Sequence, residues 1–181
     1  MFYSDPSEET PRINRIFEKL NVLNKTQGLN SNNDLFFVMK GWNDNIVAYT
    51  YLPDENKIKT QWISLESSDR ERHESNGNWS LKNELNEGEK GIFGCKLNII
   101  EGNRFIVTMN LKQMSDRTNE LILDENDNPS IIGMVNGKLC KLKYAYAQMK
   151  NSMLPEVDYL HLYGENLENG TLCVEKIFEK E

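Results

Sequence analysis

The chain has 181 residues, which is enough for one domain with a sizeable core and too few for two comfortable ones. Its 21 basic and 28 acidic residues leave a net charge of −7 without any cluster of Lys and Arg, so we expect neither a nucleic acid nor a membrane surface as partner. The sequence shows neither a basic and apolar leader nor an apolar stretch of about 18 residues, which predicts a cytoplasmic protein.

An amphipathic helix is predicted near the N-terminus. Thr10-Pro11 is a favourable helix start, because the Thr side chain can accept from a free backbone N–H and Pro needs no partner at the first helical position. An apolar stripe follows at helical spacing, formed by Ile13, Ile16, Phe17 and Leu20. This stripe packs either on the chain's own domain or on another chain. We assign residues 1–33 to the helix and a polar linker, and residues 34–181 to a single β domain.

Short strands joined by turns begin after the linker. Residues 35–39 form a continuous apolar run, as expected of a strand covered on both faces. Residues 46–52 form the next strand, and the polar turn 53–56 leads into a third strand over 57–65. In that third strand apolar residues alternate with polar ones, which predicts that Trp62 points inward.

The segment 66–91 is strongly charged and loses the strand period, so we predict an irregular insert with one short helical turn at Trp79 to Leu85. Aromatic and charged side chains gather in this third of the chain. The candidates for binding a ligand or partner are Trp62, Arg72, His73 and Trp79. The alternative interpretation is a solvated charged loop in which only Trp62 belongs to the core.

The second half of the chain is a series of predicted hairpins. Gly102-Asn103 suits a two-residue turn that would place Glu101 opposite Arg104, and Asn136-Gly137 is the strongest hairpin signal in the chain. The core candidates beyond the first of these turns are Phe105, Val107, Met109 and Leu111. A strand is predicted at 139–148, and a final pair at 157–163 and 171–178. About ten strands in all predict an all-β fold, a mainly antiparallel sandwich or barrel, with one N-terminal amphipathic helix.

No catalytic or metal motif emerges from the sequence. The loop that starts at Asp124 has calcium-type spacing at first, but its sixth position is Pro129 and its twelfth is Val135, where Gly and Glu are required. Only two histidines occur: His73 in the charged insert and His161 in a strand, where we expect a satisfied or half-exposed side chain. We predict no metal, no cofactor and no catalytic residue.

The three cysteines, Cys95, Cys140 and Cys173, are widely separated and show no CxxC spacing for zinc or redox chemistry. Each is predicted to be a small buried hydrophobe.

Several stretches together resemble one family. They are Leu35-Phe36-Phe37-Val38, Asn45-Ile46-Val47-Ala48-Tyr49, Gln61-Trp62-Ile63, the stretch from Leu81 to Phe93-Gly94, Asn136-Gly137-Lys138 and the strand 157–164. This pattern is similar to the uncharacterised proteins grouped as domain of unknown function 4833, over about residues 35–177. Gln61 stands where the family tends to have Tyr, and Asn86-Glu87-Gly88-Glu89-Lys90 replaces a basic run. The resemblance implies a compact β domain and no particular activity.

Three hypotheses for function follow. The first is a non-enzymatic module that binds a protein partner or self-associates. The second is a β-barrel that binds a small molecule or lipid in a pocket lined by Trp62 and Trp79, and an apolar cavity of roughly 300 Å³ or more would favour it. The third, which we favour least, is a hydrolase that uses His73 or His161 with acidic residues.

Overall fold

The structure is a computed structural model that describes residues 34–40, 46–63, 82–101, 104–154 and 156–179. The predicted N-terminal helix, with Ile13, Ile16, Phe17 and Leu20, lies outside these residues. The division of the chain into 1–33 and 34–181 stays a prediction.

Eleven strands and one short helix make up the described part of the chain. The first six strands are β1 Asp34–Lys40, β2 Ile46–Leu52, β3 Lys57–Ile63, β4 Lys82–Glu84, β5 Cys95–Ile100 and β6 Arg104–Met109. The other five are β7 Asn119–Leu123, β8 Pro129–Val135, β9 Lys138–Met149, β10 Val157–Asn166 and β11 Leu172–Phe178. The helix, α1, is Glu87–Phe93, between β4 and β5. The all-β prediction is confirmed.

The 12-residue strand β9 organises the sheet. Two strands pair with the same edge of β9. Its N-terminal part pairs antiparallel with β8, and its C-terminal part pairs in parallel with β1. Two wings therefore leave β9 on one side, β1 to β4 and β8 to β5, while β10 and then β11 extend the sheet from its other edge. All pairings except that of β1 with β9 are antiparallel within the described strands, and β3 contacts β5, so the sheet is nearly closed.

The central strands are buried on both faces. One face carries the main core, whose fully buried members include Phe36, Val38, Val47, Tyr49, Val107, Leu142, Leu160 and Leu162. The opposite face, here called the second face, is formed by Met39, Ile46, Tyr144, Tyr146, His161 and Tyr163, each at most 4% exposed. The prediction that the run 35–39 is covered on both faces is borne out, because Phe36 and Met39 are both buried.

The hairpin between β5 and β6 differs from the prediction by one residue. Ile100, not Glu101, lies opposite Arg104, so the predicted Glu101–Arg104 pair is wrong. The observed register places Leu97 opposite Val107, so the apolar residues of both strands share the core face; a slip of one residue would bring Lys96 and Asn98 to that face instead. Arg104 forms its ion pair across to β7, with Glu120 at 3.1 Å.

The helix α1 and strand β4 lie in part of the chain that we predicted to be irregular. Asn86 caps the helix: the Glu89 backbone N–H donates to Asn86 Oδ1 at 2.9 Å, and the Asn86 backbone N–H donates to Glu89 Oε2 at 3.0 Å. Leu85, predicted to lie in a helical turn, directly follows β4 and is buried in the core. The prediction of irregular structure up to residue 91 is therefore wrong at its end.

Candidate ligand cleft

A half-open cleft lies where α1, the loop after β6, the segment before β10 and the end of β11 meet. Its volume is about 310 Å³. The apolar part of its lining comes from Ile92, Leu111, Leu154 and Val157, and the polar part from Asn110, Lys112, Gln113, Glu156 and Glu179. The residues that form it are contributed by four separate segments of the chain.

The wall made by α1 is fixed to the loop after β6. The Asn110 side chain donates from Nδ2 to the Lys90 carbonyl at 2.8 Å, and its backbone N–H donates to the Gly94 carbonyl at 2.9 Å. Gly94 allows this close approach, because a Cβ there would lie 2.4 Å from the Lys90 oxygen. The Tyr49 hydroxyl also donates to the Phe93 carbonyl from the core side. The helix end is thus held from both the loop and the core.

Gln113 is the most unusual residue in the cleft wall. It is only 3% exposed, and its Nε2 donates to the Val157 carbonyl at 3.0 Å. That hydrogen bond sets the orientation of the amide. Its Oε1 is left without a hydrogen-bond partner in the described part of the chain. An unpaired buried polar atom costs about 1–3 kcal/mol, so the wall holds an acceptor that a donor would stabilise.

The rim of the cleft is charged, with both signs present. Lys112 Nζ lies 3.1 Å from Glu179, and Lys150 Nζ lies 3.3 Å from Glu156 and 3.8 Å from Glu179. The hydrogen bond with Glu156 raises the pKa of Lys150. Leu154, on the loop between Lys150 and Glu156, is 69% exposed at the mouth. The rim is therefore close to neutral, with an apolar side chain displayed to solvent.

The titratable side chains of the cleft are paired with one another. Both cleft carboxylates are engaged by lysines, and the described residues of the lining include no Ser, Cys or His. Over the described ranges, no group of three or more His, Cys, Asp or Glu side chains is arranged to hold a metal ion.

Trp62, the one described member of the predicted binding group, does not line the cleft. It is half-buried against the core, and its Nε1 donates to Glu89 Oε2 at 2.7 Å. Its ring meets Phe93 edge-on at 5.5 Å, and Lys40 Nζ lies 5.5 Å from the ring centre. Trp62 therefore fastens α1 to β3, as its predicted inward orientation suggests. Arg72, His73 and Trp79 lie outside the described residues, so their grouping with Trp62 stays a prediction.

His161 is fully buried on the second face, so of the two positions expected, satisfied or half-exposed, the half-exposed one is wrong. Its ring lies 5.3 Å from that of Tyr159 and 6.5 Å from that of Tyr163. His161 lies in β10, which runs between β9 and β11. These ring contacts place Tyr159, His161 and Tyr163 on one face of the sheet.

Sequence reasoning missed the cleft because its walls are remote along the chain. Two local signals were nevertheless present. The Asn86 to Glu89 spacing is that of a capping box and marks the start of α1. Gln113 is a polar residue that lies two positions after the predicted core candidate Leu111 and directly before the apolar residue Met114. Neither signal indicates which distant segments complete the site.

The comparisons with known proteins give one match. Among the described residues, no helix has the length and apolarity needed to cross a bilayer. No curated protein matches the chain, and no solved structure matches it. The family model described as Domain of unknown function (DUF4833) matches residues 36–176, which is most of the chain. The chain therefore belongs to the DUF4833 family.

Proposed function

We propose that this domain is a non-enzymatic binding module that holds a small, mainly apolar ligand in the cleft between α1 and β10. The observation that carries the proposal is an apolar cleft of about 310 Å³ with the buried Gln113 carboxamide in its wall. This volume is at the lower end of the roughly 300–1,000 Å³ typical of small-molecule sites. It suits a ligand of one or two rings or a short branched chain.

The Gln113 side chain suggests one polar feature of the ligand. Its Nε2 is already used by the Val157 carbonyl, while Oε1 is an acceptor with capacity to spare. Because this atom is buried in the unliganded chain, a hydroxyl or N–H on the ligand would supply the missing donor once the wall has opened around it. The ligand class is therefore an apolar body with a single hydrogen-bond donor.

The test is an NMR titration of the full chain with 4-methylphenol and with 4-methylanisole, which has a similar body without the donor. We expect both probes to shift the amide signals of Ile92, Leu111 and Val157. The phenol should bind about three- to tenfold more tightly, the worth of one ordinary hydrogen bond. This preference should disappear in Gln113→Met.

A blocking variant and a matched control complete the experiment. Gly91 lines the cleft, and a Cβ at this position would meet open space, so Gly91→Leu should fill the cleft without strain and abolish binding. Gly88→Leu changes the same helix outside the cleft and should bind both probes as the parent does. Equal binding by Gly91→Leu and the parent would contradict the proposal.

A second candidate function, self-association, is favoured by a different surface. The outer side of the β5 to β9 wing displays Ile100, Ile122, Met134 and Leu139, each between 42 and 52% exposed. Apolar groups displayed together on a sheet commonly mark an interface between proteins. Light scattering on the full chain tests this: Ile122→Lys with Met134→Lys should lower the measured mass, while Leu172→Lys on β11 should not. A parent chain that is monomeric at high concentration would contradict the self-association hypothesis.

The predicted cytoplasmic location is retained as part of the proposal. All three cysteines, Cys95, Cys140 and Cys173, are free thiols, as is usual in a reducing compartment.

A further inference from the structure

Two turns of the described chain carry the pair Asn-Gly, in which the Asn side chain is open to attack by the next backbone nitrogen. Gly has no side chain that would shield this nitrogen. Asn136-Gly137 forms the turn between β8 and β9, and Asn169-Gly170 lies in the turn between β10 and β11. All four residues are exposed. A third pair, Asn76-Gly77, lies outside the described residues. Since the two described pairs share their residue types and exposure, hydrogen bonding decides how their reactivities differ.

At Asn136 neither reacting group is held. The strand ladder closes with the pair Val135 and Lys138, so the peptide plane between Asn136 and Gly137 lies beyond it. Among the hydrogen bonds of the described residues, none engages the Asn136 carboxamide or the Gly137 N–H. A Cβ on Gly137 would meet nothing within 4 Å, so its nitrogen is open to water and base. This peptide plane can therefore rotate until the Gly137 nitrogen faces Asn136 Cγ without breaking a bond of the ladder.

At Asn169 both reacting groups are engaged. Its Oδ1 accepts from the Thr171 backbone N–H at 3.0 Å and from the Thr171 hydroxyl at 2.7 Å. The Gly170 N–H, which carries the attacking nitrogen of this pair, donates to the Asn166 carbonyl at 2.8 Å. These three hydrogen bonds must open before the carboxamide carbon and the Gly170 nitrogen can meet. Even at the low end of their usual strength, three such bonds slow a reaction by about tenfold.

We infer that Asn136 is a modification site at which the folded chain deamidates itself. The Gly137 nitrogen loses its proton to base and attacks Asn136 Cγ, the bond from Cγ to the amide nitrogen breaks, and that nitrogen leaves as ammonia after taking up a proton. Water then opens the cyclic imide at one of its two carbonyls, which gives aspartate or isoaspartate. Water is the only co-reactant, and no group is oxidised or reduced. The isoaspartyl product carries a free α-carboxylate, which is the group that isoaspartyl carboxyl methyltransferases methylate.

The modification changes a turn that holds Glu175. The Asn136 backbone N–H donates to Glu175 Oε2 at 2.7 Å, so the new carboxylate forms on a residue that already binds one. Two neighbouring carboxylates repel each other. The isoaspartyl form also adds one backbone atom to a two-residue turn whose φ values are 51° at Asn136 and 75° at Gly137. Deamidation should therefore loosen the contact between this turn and β11.

Timed peptide mapping of the full chain by mass spectrometry tests the proposal. The parent is incubated at mildly alkaline pH with and without denaturant, and the loss of the side-chain amide is measured separately at Asn136 and Asn169. In the folded chain, Asn136 should convert at least about tenfold faster than Asn169. In denaturant the two rates should become comparable, because Gly follows Asn in both pairs. Equal rates in the folded chain, or an Asn136 that reacts only in denaturant, would overturn the proposal.

Two variants separate this site from general ageing of the chain. Thr171→Val removes one donor to Asn169 and should accelerate conversion at Asn169 alone. Asn136→Gly keeps the turn, because Gly adopts a positive φ, and has no amide to lose. The urea midpoint of the parent should fall as position 136 converts, while that of Asn136→Gly, which retains the other two Asn-Gly pairs, should fall less. Isoaspartyl carboxyl methyltransferase with labelled S-adenosylmethionine should label the aged parent more than the aged variant. A urea midpoint that falls equally in both chains would contradict the loosening of the turn.

Discussion

Arg117 and Glu175 form a two-point ion pair that joins three remote segments of the sheet. Arg117 Nη1 donates to Glu175 Oε2 at 2.9 Å and Nη2 donates to Oε1 at 2.6 Å, with both side chains about a quarter exposed. The same carboxylate accepts from the Asn136 backbone N–H at 2.7 Å, at the β8–β9 turn. The loop after β6, this turn and β11 therefore share one carboxylate.

This pair predicts an acid-sensitive contribution to stability. The hydrogen bond from Arg117 lowers the pKa of Glu175 below its ordinary value. A group with a lower pKa in the folded state stabilises the protein above its unfolded-state pKa, about 4.3 for Glu, and loses that contribution as the pH falls through its folded-state pKa. In urea unfolding at pH 7, the free energy of unfolding of the parent should be clearly higher than that of Glu175→Gln. This difference should shrink below about pH 4. The exposed Glu168→Gln variant serves as control, and a pH-independent difference would contradict the prediction.

The capping box of α1 predicts that two variants destabilise the protein by different amounts. Glu89 Oε2 accepts from both the Asn86 backbone N–H and Trp62 Nε1. Asn86→Ala removes the cap alone and should cost about 1 kcal/mol. Glu89→Ala also leaves the half-buried indole N–H without its acceptor, so it should cost more, about 2 kcal/mol. Chemical unfolding gives both values, with the exposed first-turn variant Glu87→Ala as reference; equal losses for the two variants would show that the Trp62 bond adds nothing.

Gly164 is predicted to tolerate no side chain. A Cβ at this position in β10 would lie 2.8 Å from the Cys140 Cβ and 3.0 Å from Val135 Cγ2, both in the fully buried core. Gly164→Ala should therefore cost about 1–3 kcal/mol through overpacking. Gly91→Ala, where the added Cβ meets nothing within 4 Å, should instead stabilise the protein by about 0.5–1 kcal/mol because it lies in a helix. Thermal unfolding of both variants checks the opposite signs.

The thiols are predicted to be unreactive until the protein unfolds. Burial raises the pKa of Cys95 to about 12 and that of Cys140 to about 11, and Cys173 is only 7% exposed. The thiolate is the reactive form, so a disulfide reagent at pH 8 should modify the native chain slowly and all three positions rapidly in denaturant. Fast modification of Cys95 or Cys140 in the folded protein would contradict the assigned burial.

The predictable parts of this fold are those encoded locally. The strand Ile46–Leu52 and the Asn136-Gly137 hairpin agree with prediction, because the strand preference of β-branched and aromatic residues and the chemistry of a turn act between neighbouring residues. Asn136 and Gly137 have φ values of 51° and 75°, as a type I′ turn requires. The helix α1 was missed because Gly88, Gly91 and several charges obscured an otherwise visible capping box. The sheet order and the cleft depend on contacts between distant segments, for which a single sequence carries no direct signal.

The parallel pairing of β1 with β9 has a consequence for synthesis on the ribosome. Phe37 lies beside Tyr144, so β1 cannot pair with β9 until roughly a hundred further residues have been translated. At usual elongation rates this takes about 5–20 seconds. During that interval the nascent chain carries an apolar strand, Leu35 to Met39, with one unsatisfied edge. Open strand edges of this kind recruit other chains. Slow codons or a trigger-factor-like chaperone acting between residues 52 and 138 should therefore change the soluble yield of this protein more than comparable intervention after β10 has emerged.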